Sequence, residues 1–160
     1  MFGLFRKKSA STSAFDSALK RLLLFHEGCM LCIQNWDFNN KEQAELAANI
    51  YFLGAVDCSS QRHSLSEQEF GQLIMAFFTT VGLNEPYAIL MLNCFLKMDA
   101  IPSVKNCMVE GGQHFNKWLN GNSSVPLVSM TSIEKFCNDV DFPKTAGQLY
   151  VALDKIGLAK

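Results

Sequence analysis

Residues 65–70 read Leu65-Ser66-Glu67-Gln68-Glu69-Phe70, and the rest of the fold can be read outward from them. A Ser oxygen accepts from the free backbone N–H three residues on, and a Glu at that third position accepts from the Ser N–H in return. Flanking Leu65 and Phe70 supply the apolar pair that sets how the chain enters the helix. A helix therefore starts after Ser66. Its buried stripe is Phe70, Leu73, Ile74, Phe77 and Val81, and Gly82 followed by Leu83 reads as a left-handed C-terminal cap with its apolar contact.

Downstream, Asn84 and Pro86 open a further helix. Residues 87–98 are apolar on almost every face except at Asn93 and Lys97, which predicts a buried central helix near 85–98. Upstream, Asn40 caps a helix with Gln43 at the capping-box position, and Ala47, Ile50, Leu53 and Gly54 form a small-residue face; that helix should end around residues 58–61. Before it, Phe15, Leu19, Leu22, His26, Cys29, Ile33 and Trp36 recur at three- and four-residue steps, predicting one long amphipathic helix that stops near Asn39-Asn40. After Pro102 the pattern Val104, Cys107, Met108, Gly111, Phe115, Trp118 is again helical, with Gly111-Gly112 serving either close packing or a bend. Residues 120–130 read as the main loop, followed by a short helix capped by Thr131 and a last helix from about Pro143. The fold class that follows is all-α, one bundle of about seven helices over residues 12–160, with residues 1–11 a flexible basic and apolar N-terminal segment.

Composition agrees with a folded globule. Of 160 residues, 49% are hydrophobic and 18% charged, which excludes general disorder, and the net charge of −1 gives no reason to expect nucleic acid as a partner. The charge is unevenly spread. Arg6, Lys7, Lys8, Lys20 and Arg21 face only Asp16 in residues 1–21, whereas residues 22–96 hold Lys41 and Arg62 against eight carboxylates. Such blocks steer a partner, face each other, or are simply solvated. The six cysteines lie mostly within apolar helical patterns, which points to reduced thiols and a cytoplasmic protein. The start, MFGLFRKK, lacks the order of a signal peptide, and Glu85 splits residues 70–96 into uncharged runs of 15 and 11, short of a membrane span.

Several constellations invite chemistry. His26, Cys29 and Cys32 form an H-x-x-C-x-x-C, a residue set suited to zinc or to thiol exchange. On a helix the three spread over about 120° and sit far from an N-terminus that would favour a thiolate. Core thiols are the expected reading. His114 shares a stripe with Cys107, but about 10 Å of helical rise separates them, so packing is expected there too. Asp57, Ser59, Gln61 and His63 resemble a calcium loop only until position six, where Arg62 stands for glycine. His63 is expected to be exposed in the loop before Ser66. No catalytic residue and no cofactor are assigned. Phe2, Leu4 and Phe5, next to Arg6-Lys7-Lys8, are candidate interface residues for a lipid surface or for a groove on the domain.

The stretch from Ala44 to Val81, with an apolar helix ending in Gly54-Ala55-Val56-Asp57, a polar loop and then the 65–70 box, resembles the helix pair of tellurite-resistance-type helical domains. The likeness covers under a quarter of the chain. It implies an acidic, metal-binding loop at an Asp-Gly with a following Glu, of which Asp57 is the matching acid; Cys58 replaces the glycine and the loop is longer here. The function expected is a non-enzymatic protein-interaction or regulatory module, with a protein partner or self-association. The alternatives are a thiol- or metal-dependent protein using His26, Cys29 and Cys32, and a peripheral membrane protein held by residues 2–8.

Overall fold

The computed structural model describes the backbone of residues 2–158 and the side chains of residues 13–156. The expectations placed on Phe2, Leu4 and Phe5, and on residues 1–11 as a segment, lie outside the described side chains. Seven α-helices and no strand occur among the described residues: α1 (Phe2–Ile33), α2 (Lys41–Arg62), α3 (Glu67–Thr80), α4 (Glu85–Leu96), α5 (Pro102–Leu119), α6 (Val125–Cys137) and α7 (Ala146–Leu158), with a short 3₁₀ turn at Met98–Ala100. The all-α bundle is as the sequence predicts.

The local signals at α3 are realised in full. Glu69 N–H donates to Ser66 Oγ at 3.2 Å and Ser66 N–H to Glu69 Oε2 at 2.8 Å. At the other end Gly82 has φ +103°, its N–H donates to Thr79 O at 3.1 Å, and Leu83 N–H donates to Phe78 O at 3.0 Å. These are the two bonds of a Schellman cap, which needs a residue tolerant of positive φ where Gly82 stands. Asn84 caps α4 by accepting from Tyr87 N–H at 2.9 Å.

The central position belongs to α2 rather than to residues 85–98. Fifteen residues of α2 are buried, and it packs against α1, α3, α4, α5 and α6. In α4, Ala88, Leu90, Met91 and Cys94 are buried, while Ile89 and Leu96 are 43% and 69% exposed. Mean hydropathy misplaces the centre because what admits several neighbours is small side chains. Ala44, Ala47, Ala48, Gly54 and Ala55 line α2, and they let helix axes approach more closely than Leu or Phe would.

The closest approach is between α2 and α5. A Cβ on Gly54 would lie 1.7 Å from Met108 O, and one on Gly111 would lie 1.9 Å from Tyr51 O. Backbone meets backbone there, which settles the two readings of Gly111-Gly112 in favour of close packing. Cys107 Sγ donates to Ala47 O at 3.4 Å across the same seam. Around it Phe25, Tyr51, Phe52, Phe77 and Phe115 are fully buried, with the Phe25 ring 5.2 Å from Phe115 and 6.1 Å from Phe52, both edge to face.

Three boundaries differ from the sequence reading, while the end of α2 at Arg62 falls next to the expected 58–61. α1 stops at Ile33, where Asn35 Nδ2 donates to Leu31 O at 2.8 Å and satisfies a terminal carbonyl. α2 includes Asp57 and ends at Arg62, which leaves residues 63–65 as the loop before Ser66. α6 starts at Val125, six residues before Thr131: Pro126 sits in its first turn, Asn122 Oδ1 accepts from Ser124 N–H and Oγ–H, and Val125, Met130, Ile133 and Phe136 form the buried face. Thr131 lies inside that helix and its hydroxyl donates to Val128 O at 2.7 Å. α7 begins at Ala146, with Thr145 Oγ1 accepting from Gln148 N–H at 3.0 Å, because residues 138–145 are tied down first. Phe142 is buried, Gln43 Nε2 donates to its carbonyl at 3.3 Å, and Ser103 Oγ donates to Asp141 O at 3.1 Å. Gln43 is thereby diverted from the capping box expected at Asn40, which keeps only the bond from Gln43 N–H to Asn40 Oδ1.

Candidate functional site

The residues singled out from sequence do not converge. Cys29 is buried on α1 and its thiol is pushed up to about 12 by burial, with a hydrogen bond involving Ser129 opposing this and Cys32 adding to it. His26 is half-buried, its ring 4.7 Å from Phe52 and 5.6 Å from Phe77, and burial lowers its pKa so that it is neutral at pH 7. Cys32 is partly buried on the far edge of the same helix face. Asp57 lies on α2, where Gln61 Nε2 donates to its carboxylate at 2.9 Å. Among the described residues no three His, Cys, Asp or Glu groups come together as a metal site would require. All six cysteines are free thiols, and burial also raises Cys58, Cys94, Cys107 and Cys137, leaving them protonated at neutral pH. His63, expected to be exposed, is half-buried at the end of α2 with Nδ1 2.8 Å from Ser59 O.

His114 belongs to a polar network that periodicity did not reveal. Its Nδ1 is 2.9 Å from the hydroxyl of fully buried Tyr51 on α2. One turn earlier on α5, Glu110 accepts from Ser132 Oγ at 2.8 Å and from Lys135 Nζ at 2.7 Å, both on α6. Burial raises the Glu110 carboxyl, and the bonds from Lys135 and Ser132 outweigh this and hold it below the usual range. Burial lowers His114, against the pull of Glu110. The network joins the three helices that flank the glycine seam and satisfies a tyrosine hydroxyl that burial would otherwise penalise.

A cavity lies elsewhere, where α1 hands over to α2. It is an open groove of about 740 Å³, within the range that encloses a ligand or a short peptide segment. One wall is the last turns of α1, with His26, Glu27, Met30 and Leu31; the second is the start of α2, with Ala44, Ala48 and Asn49; the third is Val81 and Leu83 of the α3 cap. The capping signal read from sequence thus also shapes the groove. The connecting segment is pinned by buried Phe38 and leaves Trp36 38% exposed at the rim. Asn49 is nearly buried and donates through Nδ2 to Tyr87 Oη at 3.2 Å.

The rim is acidic. Glu27, Asp37 and Glu45 are all exposed around the groove, against the single cation Lys41 and the neutral His26. An apolar floor with a negative rim suits a ligand that combines apolar and cationic groups, and the aromatic face of Trp36 adds affinity for a cation. Sequence reasoning missed this site because its parts come from two helices, the segment that joins them and the distant cap of α3. The available signals were the acidic bias of residues 22–96 and the aromatic Trp36 left over at the end of a helical stripe. No helix among the described residues is long and apolar enough to cross a membrane. No protein-family model, curated protein or solved structure matches the chain.

Proposed function

We propose that this chain is a non-enzymatic, cytoplasmic interaction module that receives an apolar and basic segment of a partner protein, in helical form, in the groove between α1, α2 and the α3 cap. The observation that carries this reading is the pairing of an apolar floor, formed by Met30, Ala44, Ala48, Val81 and Leu83, with the carboxylates Glu27, Asp37 and Glu45 on its rim. Helix-in-groove recognition uses apolar anchors at helical spacing, and the surrounding charges set orientation and on-rate. The raised thiols and the dispersed His26, Cys29 and Cys32 argue against chemistry as the role of the apolar helices.

The test uses a W118F chain, in which Trp36 is the sole fluorophore of its kind, titrated with an 18-residue synthetic amphipathic helix carrying Leu and Phe on one face and Lys elsewhere. A saturable Trp36 shift, weakened at least tenfold by Glu27→Lys with Glu45→Lys and lost when the peptide lysines are replaced by Glu, is the expected result. Equal binding of the Lys and Glu peptides, or no binding of either, overturns the proposal.

A further inference from the structure

We infer that the segment received by the groove is residues 2–8 of a second copy of this chain, in a two-fold pair that sets the two α1 helices antiparallel. The inference rests on the reading of the groove as a site for an apolar and basic segment. Residues 2–8 have that chemistry: Phe2, Leu4 and Phe5 are followed by Arg6, Lys7 and Lys8. They cannot reach the groove of their own chain. α1 is continuous from Phe2 to Ile33, so Lys8 and Met30 are about 33 Å apart along it at about 1.5 Å per residue.

The charge pattern of α1 supports the antiparallel arrangement. Its first turn has no acidic residue and its last turn no basic one. Instead Arg6, Lys7 and Lys8 lie in the second turn, while Glu27 lies near the C-terminal end with Asp37 just beyond it, so the charges at both ends oppose the helix macrodipole. Antiparallel pairing places each basic end beside the other copy's acidic rim and opposes the two dipoles, removing both conflicts at once. Side-chain sizes agree as well. Leu24 and Leu31 are 52% and 65% exposed on α1, and with Phe5 opposite Leu31, Leu24 falls opposite residue 12, within the small-residue run Ser9-Ala10-Ser11-Thr12-Ser13-Ala14. A two-fold axis makes the contact twice, so a groove that holds one short segment weakly holds a pair together.

The experiment is a charge swap on the full chain, read by sedimentation equilibrium at about 50 mM salt, where surface charges are least screened. The natural sequence should sediment at twice the chain mass. R6E/K7E/K8E and E27K/D37K/E45K should each sediment as monomers with unchanged helical circular dichroism, and an equimolar mixture of the two should recover the dimer, because the swapped ends then match in both directions. A monomeric natural chain, or a dimer that survives either triple substitution, overturns the inference. Adding a synthetic peptide of residues 1–14 to the R6E/K7E/K8E chain separates the two readings. Peptide binding by a chain whose natural form is monomeric refutes self-pairing and leaves the groove reading standing, while absence of binding by the 1–14 peptide refutes self-pairing alone, the groove reading being decided by the amphipathic 18-residue peptides. Pelleting of the monomeric natural chain with anionic vesicles, lost in R6E/K7E/K8E, would overturn it in favour of a lipid surface.

Discussion

Substituting Gly111 by Ala tests the α2–α5 seam, whose α2 also packs against α1, α3, α4 and α6. The new Cβ would lie 1.9 Å from Tyr51 O and 2.7 Å from Tyr51 C, and ordinary carbon–oxygen contacts begin at about 3.3 Å. The helices must therefore part by about 1.4 Å, and no flexible side chain can yield because the obstacle is backbone. A gap of that size forfeits a large share of the dispersion contacts along the seam and lengthens the Cys107 Sγ to Ala47 O contact beyond its present 3.4 Å. Overpacking costs about 3 kcal/mol at the upper end of its usual range, and the better helix propensity of Ala returns about 1 kcal/mol. The net loss is about 2 kcal/mol, or about 4–8 °C in Tm for a chain of this size. Gly71→Ala on α3 is the matched control, because nothing lies within 4 Å of its Cβ position and the same change should stabilise by up to about 1 kcal/mol. Urea unfolding followed at 222 nm gives both values. A Gly111→Ala chain as stable as the Gly71→Ala chain would refute backbone contact at the seam.

Three further outcomes follow. Ser66→Ala should cost about 1 kcal/mol in the same urea assay and Ser66→Asp much less, since Asp also accepts from the N–H of residue 69; equal losses would show that the cap is not formed. His26 and His114 both have lowered folded pKa values, from burial first, so below the unfolded value of about 6.5 the unfolded chain binds more protons and stability is lost as the pH falls. Tm should therefore be lower at pH 5.5 than at pH 7.5, by a smaller margin in H26Q/H114Q, and an equal drop in that variant would contradict the assignment. Cys29, Cys94 and Cys107 are buried and held as thiols, so mass spectrometry after brief maleimide exposure at pH 7.5 should find them unlabelled until urea unfolds the chain; rapid labelling of Cys29 in the native protein would count against its burial.

The elements carrying paired local signals were legible in the sequence. Ser66 with Glu69, Gly82 with Leu83, and Asn84 each satisfy backbone groups within four residues of themselves, and each forms as read. Boundaries decided by distant partners were not legible. The late start of α7 depends on Gln43 and Ser103 holding residues 141–142, separations of 99 and 38 positions that no local window contains. The centre of the bundle was misplaced for a related reason: the apolar run at 87–98 shows how much can be buried, whereas the glycines at 54 and 111 determine how closely helices come together. For the groove, sequence indicated the acidic bias and the loose Trp36, but the side chains from α1, α2 and the α3 cap meet only in three dimensions. The H-x-x-C-x-x-C spacing drew attention to His26, which does line the groove, although its companions Cys29 and Cys32 do not.

The central claim is that the groove between α1, α2 and the α3 cap is where this protein meets its partner segment. The most direct test is to titrate the ¹⁵N-labelled R6E/K7E/K8E chain with unlabelled peptide of residues 1–14 and to record amide and indole shifts. The account predicts that the Trp36 indole, residues 26–37, residues 44–49 and Leu83 shift together and saturably, while Tyr51, Glu110 and His114 stay in place. Shifts confined to the α5–α6 face, or none at millimolar peptide, would contradict it.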